Sequence, residues 1–122
     1  MSPATPRILV VDDDEDVLDL AVLVLEEQGL DVVQARSGAE ALAVLDRDPH
    51  IDLLFTDVMM PGMDGFTLAL RARAAHPRLR ILYTSGYLRN LPEGGEGRRL
   101  GKIVGKPWRP DQLRAEIREA LQ

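Results

Sequence analysis

The sequence predicts an α/β protein with a doubly wound, five-stranded parallel sheet and helices on both faces. Three observations predict it. Five short apolar runs recur along the 122 residues, and longer amphipathic segments separate them. The runs are apolar throughout rather than alternating with polar residues, which is the mark of strands covered on both faces. No internal repeat, linker or low-complexity stretch divides the chain. A single unit over 1–122, with its core in 7–122 and no output domain, is therefore expected.

Ile8-Leu9-Val10-Val11 is β-branched and continuous, then meets the acidic run Asp12 to Asp16. From Glu15 to Gln28 the apolar residues take helical spacing, and Gly29 supplies a left-handed stop. Asp31 to Ala35 forms a second strand. Ser37-Gly38-Ala39-Glu40 has the form of a capping box ahead of the stripe Ala41, Leu42 and Leu45. Leu53-Leu54-Phe55-Thr56 is a third buried strand that ends at Asp57. Pro61, Gly62 and Gly65 mark a loop, and Phe66 to Ala75 a helix that stops before Pro77. Ile81-Leu82-Tyr83-Thr84 is the fourth strand. Between Leu88 and Gly101, Pro92, Gly94, Gly95 and Gly97 all oppose a regular helix. Ile103-Val104 is a short fifth strand, and Pro110 suits the first turn of a last helix carrying Leu113, Ile117 and Leu121 on one side.

Composition removes several function classes. The formal net charge is −5, from 20 acidic and 15 basic side chains, so the chain offers no broad basic face to a phosphate backbone. The pairs Arg71/Arg73 and Arg98/Arg99 read as solvated charges without interleaved aromatics. With no cysteine, disulfides, thiolate metal sites and cysteine nucleophiles are excluded. Met1 to Arg7 is short and polar, unlike a signal peptide. Ala21 to Leu25 is far too short to span a bilayer. A cytoplasmic address is the resulting expectation.

Open parallel sheets bind ligands beyond the carboxyl ends of their strands. Asp12 and Asp13 follow the first strand, Asp57 the third, Ser85 the fourth and Lys106 the fifth. Taken singly each has an ordinary role: an aspartate caps a helix, a serine makes a turn, a lysine is a surface charge. Together they fall at one edge of the sheet. Three converging carboxylates repel, and one must protonate unless a cation sits among them. Oxygen-only ligation selects a hard ion of the Mg²⁺ type, which keeps waters and takes few protein ligands. A carboxylate nucleophile, such a metal and a lysine suffice for phosphoryl transfer onto the carboxylate.

The segments Val10-Val11-Asp12-Asp13-Asp14, Thr56-Asp57-Val58-Met59-Met60-Pro61-Gly62-Met63-Asp64-Gly65, Tyr83-Thr84-Ser85-Gly86-Tyr87 and Gly105-Lys106-Pro107-Trp108 resemble the receiver domains of two-component response regulators. The likeness runs from Arg7 to Gln122, and its Ser-Gly-Tyr form is most similar to receivers attached to, or paired with, hybrid sensor kinases. It implies the flavodoxin-like receiver fold, with Asp57 as phosphoacceptor and Asp12, Asp13 and the Met59 carbonyl joining Asp57 around Mg²⁺. It further implies that Ser85 and Lys106 contact the phosphoryl group and that Pro107 follows a cis peptide bond. The donor would be a phosphohistidine on a sensor histidine kinase or a phosphotransfer protein, docked by the first helix through Glu15 and Leu18. Leu18 is equally suited to the core. Such a chain is no enzyme beyond its own phosphorylation and dephosphorylation. Its output passes to a protein target, without direct nucleic-acid or membrane binding, from a monomer or weak dimer.

Two departures from the family pattern affect the output face. Ile103 stands where such domains often carry an aromatic switch, and the Gly-rich segment 93–101 replaces the usual fourth helix. An order–disorder change of that segment is the expectation in their place. Met59 and Tyr87 should overhang the site without orienting an attacking water, so slow self-dephosphorylation is expected. Among rivals, Asp12-x-Asp14 after a strand also suits a phosphatase of the haloacid dehalogenase type, with Asp12 as nucleophile. Asp111, then Glu116 and Glu119, are the acids that follow Lys106 to complete its metal site. An unphosphorylated docking module is a further alternative. A calcium loop from Asp12 fails because Val17 and Leu23 occupy the glycine and glutamate positions it needs. His50 and His76 are lone loop residues, and Trp108 should pack the base of the last helix.

Overall fold

A computed structural model describes residues 5–122. Residues 1–4, part of the polar lead read above as no signal peptide, lie outside it. The order of elements is β1 (Arg7–Val11), α1 (Glu15–Glu27), β2 (Asp31–Ala35), α2 (Gly38–Arg47), β3 (Leu53–Asp57), α3 (Gly65–Ala75), β4 (Arg80–Ser85), a 3-10 turn (Leu88–Asn90), α4 (Gly95–Arg98), β5 (Gly101–Gly105) and α5 (Pro110–Ala120). The five strands form one parallel sheet in the order β2-β1-β3-β4-β5. Strand order reverses between β1 and β3, so the carboxyl ends of these two strands open the crevice where such folds hold ligands.

Each face of the sheet has its own core. Leu9, Val11, Leu54, Ile81 and Tyr83 point toward α2 and α3. Ile8, Val10, Leu53, Phe55 and Leu82 point toward α1 and α5. The strands therefore bury both sets of alternating side chains, which is why they read as continuous apolar runs.

Side-chain oxygens start the first three helices. Asp14 accepts from the Asp16 and Val17 amides, Ser37 from Glu40, and Asp64 from Thr67. Gly29, at φ +85°, ends α1 as the sequence requires. Leu18 is fully buried beneath α1, so it is core and cannot meet a partner. Glu15 is exposed and pairs with Arg36.

The segment 88–101 carries no long regular helix, and α4 forms only one turn. Gly94 and Gly97 are required by close packing. A Cβ on Gly94 would stand 2.4 Å from the Phe66 ring, and one on Gly97 2.5 Å from the Phe66 carbonyl oxygen. The buried Tyr83 hydroxyl donates to the Gly97 carbonyl, while the Phe66 ring meets Tyr83 edge-on at 4.8 Å. Burial holds the Tyr83 hydroxyl well above the usual tyrosine range, which keeps it a donor. Tyr83→Phe should leave the Gly97 carbonyl without this partner and cost about 1 kcal/mol. Hydrogen exchange is expected to accelerate across 95–100 while β1 and β3 keep their protection; uniform exchange would count against a local tether.

Candidate phosphoryl-acceptor site

The carboxyl edge of the sheet gathers the predicted residues. Asp12 leaves β1 and Asp57 ends β3, and both are buried. Asp13 is exposed at the rim. One carboxylate oxygen from each of Asp12, Asp13 and Asp57 lies within 4.8 Å of the other two. Lys106, just past β5, places Nζ 2.8 Å from Asp12 Oδ2 and 3.5 Å from Asp57 Oδ2. Ser85 closes β4, fully buried, and its Oγ accepts from the Tyr87 amide at 3.2 Å. Met59 lies two residues beyond Asp57 and lines an open cleft of about 420 Å³ together with Asp14, Asp57, Tyr87 and Lys106.

Local structure fixes these side chains. The Asp12 Oδ1 accepts from the Asp14 amide at 2.9 Å, which aims the other oxygen at Lys106. The Val58 amide donates to the Thr84 carbonyl and the Lys106 amide to the Ser85 carbonyl, continuing the strand ladders into the loops. Lys106-Pro107 is cis. Trp108 is buried against Phe55, as its place beside the last helix suggested.

Electrostatics follow from crowding. Burial, and then the neighbouring Asp12 charge, push the Asp57 carboxyl up to about 6 against the pull of Lys106. Burial would lower Lys106, but the hydrogen bond to Asp12 and the charges of Asp57 and Asp12 outweigh it, leaving its pKa raised and the ammonium charged. One lysine does not relieve three carboxylates. The donor set, all carboxylate oxygen and converging, fits a hard divalent cation.

His50 and His76 line a separate depression of about 740 Å³ with Arg7, Ile51 and Arg80, over the amino ends of the strands. The sequence reading missed two groups beside the site, the hydroxyl of Thr84 and the indole N–H of Trp108, which bond each other. A polar Thr84 closing the apolar run Ile81 to Tyr83 was the available signal.

This parallel fold, with acids and a lysine at one edge, is that of a signalling module, and the chain belongs to the response regulator receiver domain family, whose sequence profile matches residues 8–118. It is 36% identical to the response regulator receiver protein CpdR of Brucella abortus (strain 2308) over 116 residues, covering 94% of this chain and 96% of that protein. It is 34% identical over 121 residues to the sensor kinase CckA of the same organism, covering 94% of this chain but only 12% of that much longer protein. Among solved structures, a CheY-like receiver domain protein from Methanospirillum hungatei JF-1 superposes with a TM-score of 0.87 at 29% identity, covering 97% of this chain and 94% of that one. The receiver domain of the hybrid histidine kinase CckA gives 0.80 at 32% identity, covering 95% and 99%. The fold is thus the CheY-like receiver fold, and the chain is a receiver domain of two-component signalling. Among the described residues no helix is long and apolar enough to cross a membrane.

Proposed function

We propose that Asp57 accepts a phosphoryl group from a phosphohistidine, on a sensor histidine kinase or a histidine phosphotransfer protein, with Mg²⁺ held by Asp12, Asp13, Asp57 and the Met59 carbonyl. The observation that carries this reading is the convergence of three carboxylates within 4.8 Å beside Lys106. When bound, Mg²⁺ would neutralise charge on the phosphoryl oxygens.

The residues divide the remaining work. A carboxylate oxygen of Asp57 attacks phosphorus, the P–N bond to the imidazole breaks, and the imidazole leaves with the electron pair and takes up a proton. Lys106 balances charge on a phosphoryl oxygen, and the Ser85 hydroxyl donates to another. The product is an aspartyl phosphate, and the chain turns over nothing but its own modification. The exposed side chains of Met59 and Tyr87 overhang the mouth, and neither is well suited to orient an attacking water, which supports slow loss of the group. An acidic chain without a broad basic face suits output through protein contacts.

Incubation with a small acyl phosphate and Mg²⁺, followed by intact mass and peptide mapping, tests the reading. The wild type should gain one phosphoryl group on Asp57, Asp57→Asn none, and chelation should slow the gain at least 100-fold. Phosphate mapped to Asp12 would favour the phosphatase chemistry instead, and no gain by the wild type would leave a docking module.

A further inference from the structure

Lys106 has to present a charge at a fixed place from a long, flexible side chain, on a loop that has just left the sheet. Its own amide bond to the Ser85 carbonyl, at 2.9 Å, is the last rung of the β4–β5 ladder. Beyond the ladder, which pairs Thr84 with Val104 and Ser85 with Gly105, a single side-chain oxygen bonds the chain on both sides of the lysine. The Thr84 hydroxyl donates to the Val104 carbonyl at 2.8 Å, two residues before Lys106. The same oxygen accepts from the Trp108 indole N–H at 3.3 Å, two residues after it.

A threonine hydroxyl has one hydrogen and two lone pairs. Committing the hydrogen to Val104 turns the lone pairs toward Trp108, so the two bonds orient each other. Thr84 and Trp108 are buried, and the indole leans on Phe55 with ring centroids 6.4 Å apart. The segment between the two anchors, Gly105-Lys106-Pro107, is only partly buried or exposed.

We infer that Thr84 is a positioning residue for Lys106: its hydroxyl ties the chain on both sides of the lysine to β4 and so sets where the ammonium stands relative to Asp57. The inference rests on the reading of Asp57 as phosphoacceptor. The Thr84 hydroxyl bonds the Val104 carbonyl and the Trp108 indole, while the Thr84 carbonyl keeps the Val58 amide whatever the side chain, so the hydroxyl acts on the site through Lys106. Positioning errors near 1 Å are enough to cost on the order of 100-fold in such reactions.

A double-mutant cycle distinguishes this role from a contribution to stability alone. Phosphorylation by a small acyl phosphate would be followed by intact mass in the wild type, Thr84→Val, Thr84→Ser, Trp108→Phe, Lys106→Ala and the double variants with Lys106→Ala, over hours for the slow ones. Thr84→Val should react roughly 10-fold more slowly than wild type, and Thr84→Ser should recover to within about 3-fold. Trp108→Phe, which keeps a ring in the core and loses only one anchor, should fall between them. In the Lys106→Ala background none of these changes should slow the residual rate further. Without metal or donor, the one indole N–H resonance of the protein should be protected from exchange in wild type and Thr84→Ser, and exposed in Thr84→Val. Equal slowing with and without Lys106, a Thr84→Ser as slow as Thr84→Val, or an unchanged indole resonance in Thr84→Val would overturn the inference while leaving Asp57 as acceptor. No phosphoryl gain by the wild type would overturn the Asp57 reading and the inference with it.

Discussion

Asp57→Asn should melt on the order of 10 °C above the wild type at pH 7.5 in the presence of a chelator, and at the same temperature as the wild type near pH 3.5. In the folded chain the Asp57 carboxyl sits at about 6 instead of 3.8, because it is buried and faces Asp12. Between those two values the folded state holds a proton that the unfolded state has released, so stability falls as pH rises through this window. Above about pH 6 the loss is complete, and a shift of this size corresponds to roughly 3 kcal/mol at most. Asparagine has nearly the same shape and no charge, so it avoids the loss; some of the gain is offset because Lys106 keeps only Asp12 as a partner. If Mg²⁺ binds as proposed, adding it should narrow the gap, since it would stabilise the wild type by linkage and would have less to bind in the variant. Equal melting temperatures at pH 7.5 without metal would mean that the carboxylates do not strain one another.

The crowding behind that strain is legible in the sequence, because a parallel sheet puts the carboxyl ends of its strands at one edge. Asp12, Asp57, Ser85 and Lys106 each follow an apolar run, and the order of the runs alone brings them together. The strand cores were equally plain. Their ends were not: Arg7, Arg80 and Lys102 join the ladders through backbone bonds that ignore their charged side chains. Leu18 could be assigned to the core only once α1 had an orientation. In 88–101 the glycines argued against a helix, whereas Gly94 and Gly97 are there because Phe66 lies against them. The partners of Tyr83 and Thr84 are 14 to 24 residues away in sequence, and no local pattern announces them.

The same dependence on distant contacts gives Gly65→Ala a large expected cost to the fold. Gly65 opens α3, where alanine would ordinarily gain up to about 1 kcal/mol from helix propensity. A Cβ at this position would stand 2.3 Å from the Asp57 carbonyl oxygen and 3.0 Å from the Val58 Cα. Both are backbone atoms, so no side-chain rotation can clear them. The Gly65 amide also donates to the Val58 carbonyl at 2.8 Å, which pins the start of α3 to the loop leaving β3. The added methyl must therefore lever α3 away from the loop that carries Asp57 and Met59, with a net loss of about 3 kcal/mol. Gly86→Ala is the matched control, since a Cβ there meets nothing within 4 Å and its φ is not positive. Denaturant melts should show Gly65→Ala unfolding at a markedly lower midpoint and Gly86→Ala close to wild type. Where enough Gly65→Ala remains folded, Mg²⁺ should bind it at least 10-fold more weakly, because the loop that sets the spacing of Asp57 from Asp12 has moved. A Gly65→Ala variant as stable as wild type would show that α3 can slide off β3 at little cost, and that the acceptor loop is not held by this contact.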